Sequence, residues 1–227
     1  RENVVLVKMD GKNYVKKILS TYNESVYRYL MCHPIAHMPQ IFKVYRGDRY
    51  LVVVEEYIEG SSLSEYLKKG IFKPTEAVYI VRNLCCILNE LHTLECPIIH
   101  RDIKPSNVML TKSGEVVLLD MNVAKWYDSE EKEDTRLLGT KDYAAPEQAG
   151  YGMKASSDKT DIYAVGILLN VMLTGKLPKE KPAQGKLWDI IERCISLDAD
   201  TRYSADKLIE QLDNYLGENT NAGKKDR

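Results

Sequence analysis

The chain has 227 residues and a formal charge of −1, so its charge balance carries no signature of a nucleic-acid partner. A hydrophobic content of 44% with 29% charged residues describes an ordinary globular composition able to bury a core, and excludes the disordered and fibrous classes. The five cysteines show no metal-ligand spacing and no secretory signal opens the chain, so reduced, buried thiols and a cytoplasmic domain are expected.

Val4–Val7 and Tyr14–Leu19 are apolar runs joined by Lys8-Met9-Asp10-Gly11-Lys12-Asn13, and Asp-Gly between β-branched runs predicts a hairpin. Val26–Met31 has helical spacing, and Ile41–Tyr45 and Tyr50–Val54 read as two further strands turning at Gly47-Asp48. After Gly60 the texture becomes helical. Leu63–Leu67 and Thr75–Leu94 are helices by pattern, the second preceded by Pro74 and carrying Leu84, Ile87, Leu88 and Leu91 on one face. Val108–Leu110 and Val116–Leu119 are short strands around Ser113-Gly114, and residues 121–143 read as polar loop. Asp161–Leu173, Leu187–Ile195 and Ala205–Leu216 are the clearest remaining helices, with a polar, frayed tail expected over 217–227. The longest apolar stretch, Ile162–Leu173, is broken by Gly166 and Asn170 and falls short of the roughly 20 residues a bilayer requires, so it predicts a core helix and no membrane contact within the chain. These elements make an α+β chain, with a small antiparallel sheet lobe carrying one helix over about 1–57 and a larger, mainly helical lobe over about 60–216.

The decisive segment is His100-Arg101-Asp102-Ile103-Lys104-Pro105-Ser106-Asn107. Phosphoryl transfer needs an oriented nucleophile, neutralised phosphate charge and a held metal. An aspartate facing a hydroxyl, a lysine near the phosphate and an asparagine on Mg²⁺ supply those parts from one loop. Leu118-Leu119-Asp120 then ends a strand with a carboxylate, where a second metal ligand should stand. Gly139-Thr140-Lys141-Asp142-Tyr143-Ala144-Ala145-Pro146-Glu147, Asp161-Ile162-Tyr163-Ala164-Val165-Gly166 and Asp198-Ala199-Asp200-Thr201-Arg202-Tyr203 follow in order.

With these motifs the sequence resembles the eukaryotic-type serine/threonine protein kinases over all but its tail. The resemblance implies the two-lobed kinase fold, with ATP and Mg²⁺ (or Mn²⁺) as cofactors and a protein as substrate. It implies Asp102 as catalytic base, Lys104 on the γ-phosphate, and Asn107 and Asp120 as metal ligands. Thr140 would bridge toward Asp102 and Lys104, Glu147 would pair with Arg202, and Asp161 would tie the catalytic loop to the central helix. Lys104 followed by Pro105-Ser106-Asn107 favours serine/threonine over tyrosine as acceptor.

Tyr14-Val15-Lys16-Lys17 resembles the strand carrying the ATP lysine. Side chains alternate along a strand, so Val15 over adenine and an amine on the phosphates share a face only if that amine is Lys17. Glu24 is the only acidic residue between Lys17 and Asp48 and is expected to pair with that lysine, although Arg28 stands four residues on, where the family has an apolar side chain. Leu51–Gly60 resembles the strand and hinge that read adenine, through backbone groups of Glu56 and Ile58, with Val4 and Met109 also at the ATP site. This alignment puts Glu55 at a position normally apolar or Thr, where a charge is costly unless paired. Glu55 either bonds a lysine or points aside, unless a one-residue bulge shifts the strand.

Three further departures stand out. Asp120-Met121-Asn122 replaces Asp-Phe-Gly; Met fills a phenyl-sized space and Asn tolerates left-handed angles, so activity is expected to survive. The Gly-rich phosphate loop would precede Val4, where the chain has Arg1-Glu2-Asn3, so the sequence is expected to begin within the first hairpin, the alternative being a divergent loop. The stretch between Leu173 and Leu187 is short for the family. Arg101 before the catalytic aspartate suggests a loop ordered by phosphorylation, with Thr135 and then Ser129 as the candidates. The missing loop, Met121-Asn122 and Glu55 keep a pseudokinase or nucleotide-binding scaffold as the rival reading, with a small-molecule phosphotransferase behind it.

Overall fold

The structure, a computed structural model, describes residues 3–127, 140–149 and 156–225. Asp10 and Gly11 both have positive φ, 48° and 78°, the left-handed pair of a type I′ turn. They close a hairpin between β1 (Asn3–Met9) and β2 (Lys12–Leu19), in which Met9 faces Lys12. β2 pairs on its other edge with β4 (Leu51–Glu56), which pairs with β3 (Ile41–Arg46), giving an antiparallel sheet in the order β1-β2-β4-β3. α1 (Glu24–Cys32) lies between β2 and β3 and turns Val26, Tyr27 and Leu30 into the core.

The rest of the chain is mainly helical. α2 (Leu63–Leu67), α3 (Pro74–His92), α4 (Asp158–Thr174), α5 (Lys186–Cys194) and α6 (Ala205–Lys225) are joined by short strands: β5 (Gly60–Ser62), β6 (Ile98–Ile99), β7 (Val108–Thr111), β8 (Val116–Leu118) and β9 (Lys125–Trp126). β5, β7 and β8 form one small sheet, and β6 pairs with β9. α4 is capped at its start by Ser157, whose hydroxyl accepts from Lys159 N, and stopped by Gly175 in the left-handed conformation. Ile162, Val165, Leu168 and Leu169 of α4 are buried, between α3 on one side and α5 on the other. Gly166 allows the close approach of α5: a Cβ there would lie 2.6 Å from Cys194 Cβ. Buried side chains under the first sheet (Leu19, Leu51, Val53) belong to the same apolar cluster as Leu84, Ile162 and Leu168.

The structure departs from the sequence reading in three places. The final helix does not end at Leu216 but runs to Lys225, through Gly217 and Gly223, in a segment that holds no proline to remove a backbone donor. The thiols are not uniformly buried, since Cys32 and Cys96 are exposed, although all five cysteines are free. Residues 121–143 are not loop throughout, for Lys125–Trp126 pairs with Ile98–Ile99. Among the described residues no helix is long and apolar enough to cross a membrane.

Candidate active site

The His100–Asn107 segment follows the buried strand β6 and is held by Asp161 in the first turn of α4. The Asp161 carboxylate is fully buried and accepts from the backbone N–H of His100 (2.9 Å) and of Arg101 (2.7 Å), and pairs with His92 Nε2 (2.8 Å). Burial pushes its pKa up, but the hydrogen bond and charge of His92, the charge of His100 and the Arg101 N–H outweigh this and hold it below the ordinary value. Arg101 sits at φ 71°, an uncommon conformation for a side chain of that size. Asp161 fixes its N–H, and Gln148 Nε2 donates to its carbonyl at 2.8 Å.

Asp102 receives two donors on each carboxylate oxygen. Lys104 Nζ (2.6 Å) and Asn107 Nδ2 (3.1 Å) reach Oδ2; the Thr140 N–H (3.1 Å) and hydroxyl (2.8 Å) reach Oδ1. Lys104 Nζ also donates to the Thr140 hydroxyl at 2.8 Å, so Thr140 stands between Asp102 and Lys104. A 3₁₀ turn over Pro105–Asn107 points Asn107 back at this cluster, where its Nδ2 also donates to the Asp102 carbonyl at 2.9 Å. The next segment is stitched on by Leu119 N–H to the Asn107 carbonyl, 2.8 Å, and by His100 Nε2 to the Leu119 carbonyl, 2.9 Å. Asp120 follows with φ 69°; the left-handed residue of this motif is therefore the aspartate, while Asn122 has no positive φ. Met121 is buried and packs near Tyr27 and Leu30.

Lys17 is 6% exposed on the inner face of β2, with its ammonium 2.7 Å from Glu55 Oε1 and 3.5 Å from Asp120 Oδ1. Lys16 lies on the opposite face, across from Val5 and Val54. Burial alone lowers the pKa of Lys17, yet the Glu55 and Asp120 charges outweigh it and raise the net value. Burial raises that of Glu55 as well, against the pull of Lys17 and with Asp120 adding to the rise. The two directions agree physically: one cation between two carboxylates leaves a negative excess that holds protons.

Glu24 is not the partner of Lys17. Its carboxylate is taken by Arg28 (2.8 Å) and by Arg46 (3.2 Å) at the surface. Being the only acidic residue in the interval did not bring it inward; the phase of α1, with Val26, Tyr27 and Leu30 inside, turns it out. The β2–β4 register is unbroken and the irregularity lies in β3 at Phe42, so no bulge displaces Glu55. The Tyr27 hydroxyl donates to Asn122 Oδ1 at 2.6 Å, which is how α1 meets the Asp120 segment.

Val15 is half-buried beside Glu55, Met109 is half-buried on β7, and Val4 on β1 faces the Lys17 position at 62% exposure. At the end of β4 the Glu56 N–H donates to the Gln40 carbonyl at 2.8 Å, and Ile58 follows, half-buried. Glu147 and Arg202 form a buried two-point pair at 2.7 and 3.1 Å. Thr135 and Ser129 lie outside the described residues. Sequence reasoning missed His92, Tyr27, Asn122 as a hydrogen-bond acceptor, and Gln148. For His92 a signal existed, a histidine in the last turn of an otherwise apolar helix.

Residues 2–194 match the protein kinase domain family. The chain is 35% identical over 145 residues to a Bacillus subtilis protein named serine/threonine-protein kinase PrkC, covering 62% of this chain and 22% of that one. It is 36% identical over 136 residues to serine/threonine-protein kinase A of Synechocystis, covering 55% of this chain and 26% of that one. A Caenorhabditis elegans protein named "cAMP-dependent protein kinase, catalytic subunit-like" is 27% identical over 223 residues, covering 90% of this chain and 53% of that protein. The chain thus spans about a quarter of the length of the two bacterial relatives.

Proposed function

The chain belongs to the protein kinase domain family, and on that premise we propose that it transfers the γ-phosphoryl of ATP to serine or threonine hydroxyls of a protein substrate. The observation that carries this reading is the Asp102 carboxylate clasped by Lys104, Asn107 and Thr140. A continuous run of contacts leads from there through Asn107 and Leu119 to Asp120 and on to Lys17. Exposed free thiols at Cys32 and Cys96 support a reducing compartment such as the cytoplasm.

Asp120 and Asn107 fit the role of metal ligands. The Oδ1 atom of Asp120 is buried and accepts no hydrogen bond among the described residues, although Lys17 lies 3.5 Å away. A carboxylate and a side-chain amide oxygen are hard donors, and Mg²⁺ (or Mn²⁺) takes few of these from a protein when phosphates and water complete its shell. Bound there, the metal supplies charge neutralisation on the phosphates. Lys17 adds positive charge from the sheet side, and the backbone of Glu56 and Ile58 reads adenine against Val4, Val15 and Met109.

Asp102 orients the acceptor hydroxyl and takes its proton as the oxygen–phosphorus bond forms and the bond to the ADP oxygen breaks. Four donors fill its four acceptor sites before substrate arrives. Docking a hydroxyl therefore requires one donor to leave. Lys104 is the one with a better destination, the phosphate, and its departure frees Oδ2.

Transfer of ³²P from γ-labelled ATP to casein, followed by phosphoamino-acid analysis, tests this. Wild type places label on serine and threonine, and Asp102→Asn lowers the rate by about 10²–10⁴. Equal labelling by both proteins, or label on tyrosine alone, contradicts the reading.

A further inference from the structure

A buried ammonium must be paired, and the partner must stay put if the amine is to hold phosphates at a fixed distance. Lys17 faces Val53 in the β2–β4 ladder and Glu55 is two residues further along β4, so the two side chains are diagonal neighbours on one face of a continuous antiparallel pair. Their contact is 2.7 Å, and both side chains are 8% exposed. Glu24, the carboxylate on α1, is held at the surface by two arginines. Helix α1 instead reaches the site through the Tyr27 hydroxyl on Asn122.

We infer that Glu55 is the positioning residue for Lys17, and that the lysine is set for ATP by the sheet itself and not by helix α1. This rests on the kinase reading above, since it assigns Lys17 to the nucleotide phosphates. The consequence is a division of labour. A shift or rotation of α1 leaves the lysine–carboxylate distance unchanged, because both residues sit on hydrogen-bonded strands, and within the site bears on the Asp120-Met121-Asn122 segment through Tyr27. Two of the departures from the family pattern are each matched by a partner: the charge at Glu55 by Lys17, and the amide at Asn122 by Tyr27.

The test measures ATP affinity by displacement of a fluorescent nucleotide, alongside KM and kcat where transfer is seen. Glu55→Met should weaken ATP binding at least about fivefold, Glu55→Gln should fall between it and wild type, and the loss should lie mainly in KM. On a Lys17→Met background, Glu55→Met should cost nothing further, which a purely structural role would not produce. Glu24→Ala and the double variant Arg28→Ala/Arg46→Ala should stay within twofold of wild type. The inference is overturned if Glu24→Ala costs tenfold while Glu55→Gln stays within twofold. It is overturned equally if releasing Glu24 from its arginines raises affinity tenfold. Should Glu55→Met fail to fold, the isosteric Gln variant and the surface variants decide. A wild type that binds ATP but labels no protein removes the kinase reading and leaves the affinity comparison intact.

Discussion

Replacing Arg202 by methionine is expected to cost about 3–5 kcal/mol of stability, the range for leaving one half of a buried ion pair behind. The guanidinium is fully enclosed, lies over the Tyr163 ring at 4.9 Å and makes four hydrogen bonds: two with Glu147, one with the Ser196 carbonyl at 2.8 Å and one with the Lys159 carbonyl at 3.0 Å. Methionine preserves much of the volume but strands the Glu147 carboxylate, which keeps only the Thr160 hydroxyl among these partners. Both carbonyls lose their donor as well. At about 2–4 °C per kcal/mol for a domain of this size, the midpoint of thermal unfolding should fall by about 6–20 °C. The double variant Glu147→Gln/Arg202→Met no longer strands a charge, so it should cost at least about 1 kcal/mol less than the two single changes added together. Urea unfolding of the four proteins gives the coupling. An Arg202→Met midpoint within about 2 °C of wild type would refute the argument that this pair fastens the Glu147 segment to the helical region.

Asp161 should control acid stability. Its folded pKa lies below 3.8, so the unfolded chain takes up the proton first and stability falls as pH drops. The contribution is complete well above 3.8 and is lost as pH descends through that value toward the folded one; Asp161→Asn should flatten this part of the pH–stability curve, read by urea midpoints between pH 6 and about 3. Gly166→Ala would set a methyl 2.6 Å from Cys194 Cβ and 2.8 Å from Ile195 Cγ2, so overpacking should cost about 1–3 kcal/mol by the same assay, with nucleotide affinity of the folded protein unchanged.

The cluster of Asp102, Lys104 and Asn107 was legible because these residues are close in the chain, and one loop geometry suffices to face them together. Lys17 was legible over Lys16 because strand alternation is a local rule, and the β2 register places Lys16 opposite Val5 and Val54 on the other face. The lysine's partner was not, because it depends on two things a single strand does not encode: the rotational phase of α1 and the pairing of β2 with β4. Glu24 is the sole acid in the interval, but the helix is phased by burial of Val26, Tyr27 and Leu30. Glu55 looked anomalous as a lone buried charge and became ordinary once its diagonal neighbour was known. β6 and β9, at two residues each, carry no periodicity to read and exist only through each other. The extension of α6 past Leu216 was hidden by polarity, which says that a segment is unburied but not that it is unwound.

The central claim is that Lys17 and Asp120 face the same nucleotide–metal site. Calorimetric titration of ATP into wild type, Lys17→Met and Asp120→Asn, each with and without Mg²⁺, tests it most directly. Wild type should bind more tightly with Mg²⁺, Lys17→Met should lose affinity while keeping that enhancement, and Asp120→Asn should lose the enhancement itself. Binding that ignores Mg²⁺ in all three proteins, or an unchanged enhancement in Asp120→Asn, would contradict the account.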